Sequence, residues 1–192
     1  MDESALHNAG GWLARRAATS GERVALIEEF ARSEHAVGVG DARGPAHRTL
    51  DFRALEERCA RCAAWLRDAG VARGDRVAIL LANRSAFIEA VFAAARLGAI
   101  ALPINTRLAP PELRQIFDDA EPRVLLHEAE LEERVARACA GLTAPPLRIA
   151  VGAKPDAYEA ALAAHAPDFS VAPVSEGEPM ILMYTSGTTG AP

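Results

Sequence analysis

The last nine residues, Tyr184-Thr185-Ser186-Gly187-Thr188-Thr189-Gly190-Ala191-Pro192, place hydroxyl side chains around two glycines directly after the apolar run Met180-Ile181-Leu182-Met183. Glycine tolerates positive φ, so successive backbone N–H groups of such a turn can point into one concavity, to which the Thr and Ser hydroxyls add donors. The chemistry this suits is the cradling of a phosphate chain. The loop carries no cation, so a triphosphate held there requires a metal ion or a lysine from elsewhere. It is not a Walker A loop, because two residues instead of four separate the glycines and no Gly-Lys-Ser/Thr follows.

The other chemistry-bearing side chains do not assemble into a site on paper. Cys59 and Cys62 form a Cys-x-x-Cys pair in the middle of a helical pattern, on one apolar stripe with Leu55 and Leu66. They read as small core residues, since a redox pair belongs at a helix start and a zinc site needs two more ligands, with Cys139 the only other cysteine. His7, His35, His47, His127 and His165 are widely separated. His127 alone draws notice, because it ends the strand pattern Val124-Leu125-Leu126 and strand C-termini line ligand crevices in parallel sheets, although a polar residue there is ordinarily solvated. Lys154 is the only lysine and reads as solvated beside Pro155. The adjacent acids Asp118-Asp119 and Glu132-Glu133 read as solvating helix surface, each pair facing two directions. No metal ligands and no catalytic residue are assigned.

Composition bounds the rest. Half of the 192 residues are apolar, about a quarter are charged, and the net charge is −5. This suits a chain with a sizeable core and argues against a nucleic-acid surface, so phosphate binding has to be local. No apolar run approaches the roughly 20 residues that span a bilayer, and the start lacks a signal-peptide pattern, which points to the cytoplasm.

Apolar strands alternating with amphipathic helices predict an α/β fold with a mainly parallel sheet covered by helices on both faces. A helix from about Gly11 to Ala18 leads to a strand near Val24 to Glu28. A hairpin pairing Ala36–Val39 with Arg48–Phe52 follows. Then come helix 53–69, strand 76–81, helix 85–97, strand 99–104, helix 110–120, strand 123–127, helix 129–140, strand 147–151, helix 156–164 and strand 180–184. Gly70 and Gly98 end helices, and Pro110-Pro111 start one. The chain thus divides into a helix and hairpin (1–52), an alternating core (53–165), a connecting loop (166–179), and the last strand with its phosphate loop (180–192).

The string Tyr-Thr-Ser-Gly-Thr-Thr-Gly-x-Pro resembles the signature of the adenylate-forming enzymes, the superfamily of acyl-CoA synthetases, firefly luciferase and non-ribosomal peptide adenylation domains. Thr49-Leu50-Asp51-Phe52 with Gly74 to Asn83, and then Leu97 to Leu108, are similar to that family's first two recognisable blocks, so the resemblance covers most of Thr49 to Glu128 and the terminal loop. In the family a lysine follows the proline, a position just beyond Pro192, so the chain reads as the N-terminal portion of such an enzyme, with the C-terminal part of the same chain missing. The resemblance implies a ligase using ATP, Mg2+ and coenzyme A: a carboxylic acid attacks the α-phosphate of ATP, pyrophosphate leaves, and a thiol displaces AMP from the acyl-adenylate.

It further implies that Thr185, Ser186, Gly187, Thr188, Thr189 and Gly190 hold the ATP phosphates. Arg107, in the Asn-x-Arg-Leu block, would lie near the phosphates of CoA, its alternative being a solvated or helix-capping arginine beside Pro110-Pro111. No general base is needed, because the carboxylate nucleophile is already ionised. A fatty acid is the expected substrate, and residues 1–192 alone are expected to be inactive. Two other readings stay open: an amino-acid-adenylating domain that loads a carrier protein, and an α/β module that binds without catalysis.

Overall fold

The computed structural model describes residues 8–30 and 46–185. The described residues open with α1 (Gly10–Ser20) and a two-stranded antiparallel sheet of β1 (Val24–Phe30) and β2 (Ala46–Asp51). The predicted partner of β2, Ala36–Val39, lies outside the described residues. Among the described residues β2 pairs with β1, setting Leu26 opposite Leu50 and Glu28 opposite Arg48. The strand ends where Asp51 accepts a 2.7 Å hydrogen bond from the Ala54 amide. That N-cap, of a kind that stabilises by about 1 kcal/mol, starts α2 (Phe52–Asp68).

Thereafter strands and helices alternate as the periodicity predicts. In order they are β3 (Arg76–Leu80), α3 (Ser85–Leu97), β4 (Ile100–Pro103), α4 (Pro110–Ala120), β5 (Val124–Glu128), α5 (Glu132–Cys139), β6 (Leu147–Val151) and α6 (Ala157–Ala164). The expected helix 129–140 opens with a tight turn over Ala129–Leu131 before α5 begins. Glu112 accepts from the Ala109 amide at 2.7 Å and so closes the first turn of α4 over its two prolines. At the end of α3, Gly98 takes φ of +69°, and an added Cβ would also crowd Val174 and Arg73.

The four parallel strands lie in the order β4-β3-β5-β6. Because side chains alternate along a strand, Val77, Ile79, Val124 and Leu126 pack on one face with α2, α3 and α6. Ala78, Leu80, Leu102 and Leu125 pack on the other with α4 and α5. The chain leaves the central strand β3 toward β4 and then crosses back to β5, reversing its direction across the sheet. Right-handed crossovers put helices from opposite directions on opposite faces, which is why α3 and α4 lie on different sides. A third cluster, Leu13, Leu50, Leu55 and Cys59, fastens α1 and β2 to α2.

The expected strand 180–184 is realised as a single parallel bridge, Ala101 to Ile181. The Ala101 amide donates to the Met180 carbonyl and the Leu182 amide to the Ala101 carbonyl, each at 2.9 Å. The next donor on that edge of β4 would be residue 103, and Pro103 has no N–H, so the ladder stops. Ile181, Leu182 and Met183 are left exposed.

Candidate functional site

In a doubly wound sheet, ligands bind beyond the strand C-termini where neighbouring strands send their chains to opposite faces. Here that point lies between β3 and β5. An open crevice of about 680 Å³ is found there, lined by Glu28, Ala82, Asn83, Arg84, Thr106, Arg107, Glu128 and Arg134 among others.

Its floor is an ionic clamp. Glu128, at the end of β5, accepts the Ala82 amide at 2.9 Å and Arg84 Nη1 at 2.6 Å. Arg84 also lies 3.8 Å from Glu28 on β1, and its guanidinium presses against Gly152 after β6. One arginine thereby brings the ends of β5 and β6 and the middle of β1 to its own loop after β3. Sequence reasoning did not single out Arg84, Glu128 or Arg134; a signal was available for Glu128 alone, a charged residue directly after the buried strand run 124–127.

Arg107 stands on the crevice wall, exposed, as the last side of a turn that Asn105 builds: the Asn105 side chain accepts the Arg107 amide at 3.0 Å. Arg134 of α5 donates to the Thr106 carbonyl at 2.7 Å and holds that turn. Among the described residues the Arg107 guanidinium makes no hydrogen bond or ion pair. It does not cap α4, where Glu112 already serves. An unpaired guanidinium of this kind can take an anionic ligand bidentately.

The phosphate-loop motif enters the described residues only at its root. Tyr184 packs against the apolar cluster of α4, α5 and the sheet, Thr185 is exposed, and Ser186, Gly187, Thr188, Thr189 and Gly190 lie outside the described residues. The bridge to β4 runs parallel, so residues 180–182 point toward the same sheet edge as the crevice.

The remaining candidates take structural places. Cys59 and Cys62 are fully buried; burial pushes both thiols up, Cys62 to about 12. Lys154 is exposed. His127 is fully buried rather than solvated, on the α4/α5 face, with Nδ1 2.9 Å from the Glu128 carbonyl. Its Nε2 comes within 3.2 Å of Glu132, but without the alignment of a hydrogen bond, and it does not line the crevice. The acid pairs are divided in their roles. Glu133 and Asp118 make long helix-surface pairs with Arg137 and Arg114. Glu132 instead joins His127 to Arg148, and Asp119 accepts a hydrogen bond from Tyr184. Those partners come from β5, β6 and the loop root, which helix-local spacing does not register. Among the described residues no group of three or more His, Cys, Asp and Glu side chains could hold a metal ion, and no helix is long and apolar enough to cross a membrane.

A doubly wound sheet with a charged crevice at its switch point defines a ligand-binding α/β domain, and comparison with known proteins narrows it. The AMP-binding enzyme family model matches residues 13–192, so this chain belongs to that family. It is 41% identical over 143 residues to feruloyl-CoA synthase of an Amycolatopsis species, covering 74% of this chain and 27% of that protein. It is 32% identical over 182 residues to the long-chain-fatty-acid–CoA ligase FadD13 of Mycobacterium tuberculosis, covering 95% of this chain and 33% of that one. Among solved structures, the inhibitor-bound N-terminal domain of FACL13 from M. tuberculosis superposes with a TM-score of 0.77 at 31% identity, covering 95% of this chain and 42% of that chain. The chain therefore spans about a third or less of the length of these curated relatives.

Proposed function

We propose that the protein carrying this chain is an acid–thiol ligase that converts a carboxylic acid to its acyl-adenylate at the expense of ATP and passes the acyl group to coenzyme A. The observation that carries the reading is the family match over residues 13–192, together with the Tyr-Thr-Ser-Gly-Thr-Thr-Gly string at its end. In this reading Thr185, Ser186, Thr188 and Thr189, with the amides of Gly187 and Gly190, hold the β- and γ-phosphates of the leaving pyrophosphate. Their hydrogen bonds meet the charge that moves onto it. A magnesium ion belongs with the nucleotide. Arg107, unpaired on the crevice wall, pairs with a phosphate of CoA.

A fatty acid is the substrate first proposed, in line with the relative matched along 95% of this chain. The greater identity to a feruloyl-CoA synthase favours an aromatic acid as the second reading. The test is acid-dependent exchange of labelled pyrophosphate into ATP by the full-length protein, with fatty and aromatic acids offered side by side. Exchange with one class and a subsequent CoA-dependent release of AMP are expected. ATP binding without exchange on any acid would favour a non-catalytic module, and transfer to a carrier protein but not to CoA would favour a carrier-loading domain. Residues 1–192 alone, tested in parallel, are expected to give no exchange.

A further inference from the structure

Main-chain pairing holds the approach to the phosphate loop only as far as Leu182, whose amide donates to Ala101 at 2.9 Å. Pro103 ends the ladder, and Met183 is 68% exposed. The next residue, Tyr184, is different. Its ring is half-buried against the cluster that contains Leu102, Ile116 and Phe117, and its hydroxyl donates to the Asp119 carboxylate near the end of α4. Thr185 follows directly, with no hydrogen bond among the described residues. Tyr184 is thus the last point at which the described chain ties the loop to the fold, one residue before the first hydroxyl of the motif.

We propose that the Tyr184–Asp119 hydrogen bond is a latch that sets the direction of the phosphate loop, making Tyr184 and Asp119 positioning residues for the adenylation step. This rests on the ligase reading above. The physical reason is lever length. A hydrogen-bonded anchor beside the first donor fixes where the donors point, and donors that act on charge developing in the transition state lose effect when misplaced by even about 1 Å. The interaction is available throughout the neutral range: burial of the ring and then the neighbouring Asp119 carboxylate push the Tyr184 hydroxyl up to about 12, so it remains a donor. Asp119 lies on the exposed rim of a shallow hollow with Arg114, Gln115 and Asp118, so replacing it leaves the apolar core intact.

The test uses the full-length protein with Tyr184→Phe, Asp119→Ala, Asp119→Asn and the Tyr184→Phe/Asp119→Ala double variant. Steady-state pyrophosphate exchange gives kcat and the KM for ATP, thermal unfolding gives Tm, and amide hydrogen exchange is followed on peptides spanning 183–190. Tyr184→Phe keeps the ring and Asp119→Asn keeps an acceptor oxygen. The expected result is a roughly three- to tenfold fall in kcat for Tyr184→Phe and for Asp119→Ala alike, with KM for ATP nearly unchanged. The double variant should be no slower than either single one, and Asp119→Asn should recover most of the rate. Faster amide exchange at 183–190, without a matching fall in Tm, should accompany the loss.

Unchanged kcat in either single variant, or additive losses in the double one, would overturn the latch. Amide exchange unchanged by Tyr184→Phe would overturn it whatever the activity. A wild-type protein that exchanges no pyrophosphate with any acid would sink the ligase reading separately, and with it the catalytic role assigned to the latch.

Discussion

Arg58 joins α2 to α3 and α6 by hydrogen bonds. Its Nε and Nη2 donate to Glu89 of α3 at 2.7 and 3.1 Å, and its Nη1 and Nη2 donate to Glu159 of α6 at 2.9 and 2.7 Å. Glu89 is fully buried, and among the described residues its only other hydrogen-bond partner is the Tyr158 hydroxyl at 2.7 Å. Burial by itself would lower the Arg58 pKa, but the two carboxylates more than offset it, so the guanidinium holds its proton more firmly than usual. Arg58→Met keeps the stem volume but leaves the Glu89 charge with one hydrogen bond. Breaking a buried pair from one side costs about 3 to 5 kcal/mol, and the 16% exposure of the Arg58 side chain sets the expected loss near the lower figure.

Arg48 supplies an internal contrast. Among the described residues its side chain pairs only with Glu159, at 3.1 Å with both side chains about a third or more exposed, so Arg48→Met should cost at most about 1 kcal/mol. Urea unfolding can be followed by the fluorescence of Trp65, which is buried on α2, in a Trp12→Phe background that removes the exposed tryptophan. The double variant Arg58→Met/Glu89→Met removes the stranded charge and should recover at least about 1 kcal/mol relative to Arg58→Met. A loss below about 1 kcal/mol for Arg58→Met, or additive losses in the double variant, would refute the view that Arg58 and Glu89 join α2 to α3 as a solvent-excluded ion pair.

Glu159 gives the pH-dependent counterpart: burial alone would raise its pKa, but Arg58 and Arg48 outweigh that and hold its carboxyl below the ordinary 4.5. Its stabilisation is therefore present above about pH 4.5 and lost as pH falls through the lower folded value, so the Tm gap between wild type and Glu159→Gln should narrow below that pH. A gap constant with pH would contradict it. Thr188→Val in the full-length protein should lower the adenylation rate by roughly tenfold, with little change in the KM for ATP. A higher KM at unchanged rate would make the loop a binding clamp. Arg107→Ala should raise the KM for CoA by about tenfold, a modest loss for an exposed guanidinium, while pyrophosphate exchange stays near its original rate. Equal damage to both half reactions would mark it as structural.

Periodicity and local punctuation were enough to locate most elements, because what they report is settled within a few residues. The four parallel strands, the helices between them and the capping prolines of α4 follow from apolar spacing and from side chains that hydrogen-bond to their own turn. Cys59 and Cys62 were legible as core for the same reason, being on one stripe of one helix. The phosphate-loop motif and the family were legible too, since residue order along the chain carries them.

What local spacing could not convey depends on segments far apart in sequence. The strand at 180–184 shrank to a bridge because of a proline nearly eighty residues earlier on the neighbouring strand. Glu89 finds its partners only when α2 and α6 bring Arg58 and Tyr158 to it, and His127 reads as a solvated strand end until α5 covers it. The crevice itself exists only because the strand order reverses between β3 and β5, collecting Arg84 and Arg107 from two loops, Glu128 from the end of β5 and Arg134 from α5. Backbone preferences and amphipathic periodicity act over a few residues, so the chain alone determined its elements and its motif. Partnering of buried charges and the shape of a ligand crevice are properties of surfaces that meet only after folding, and those were decided by the tertiary structure.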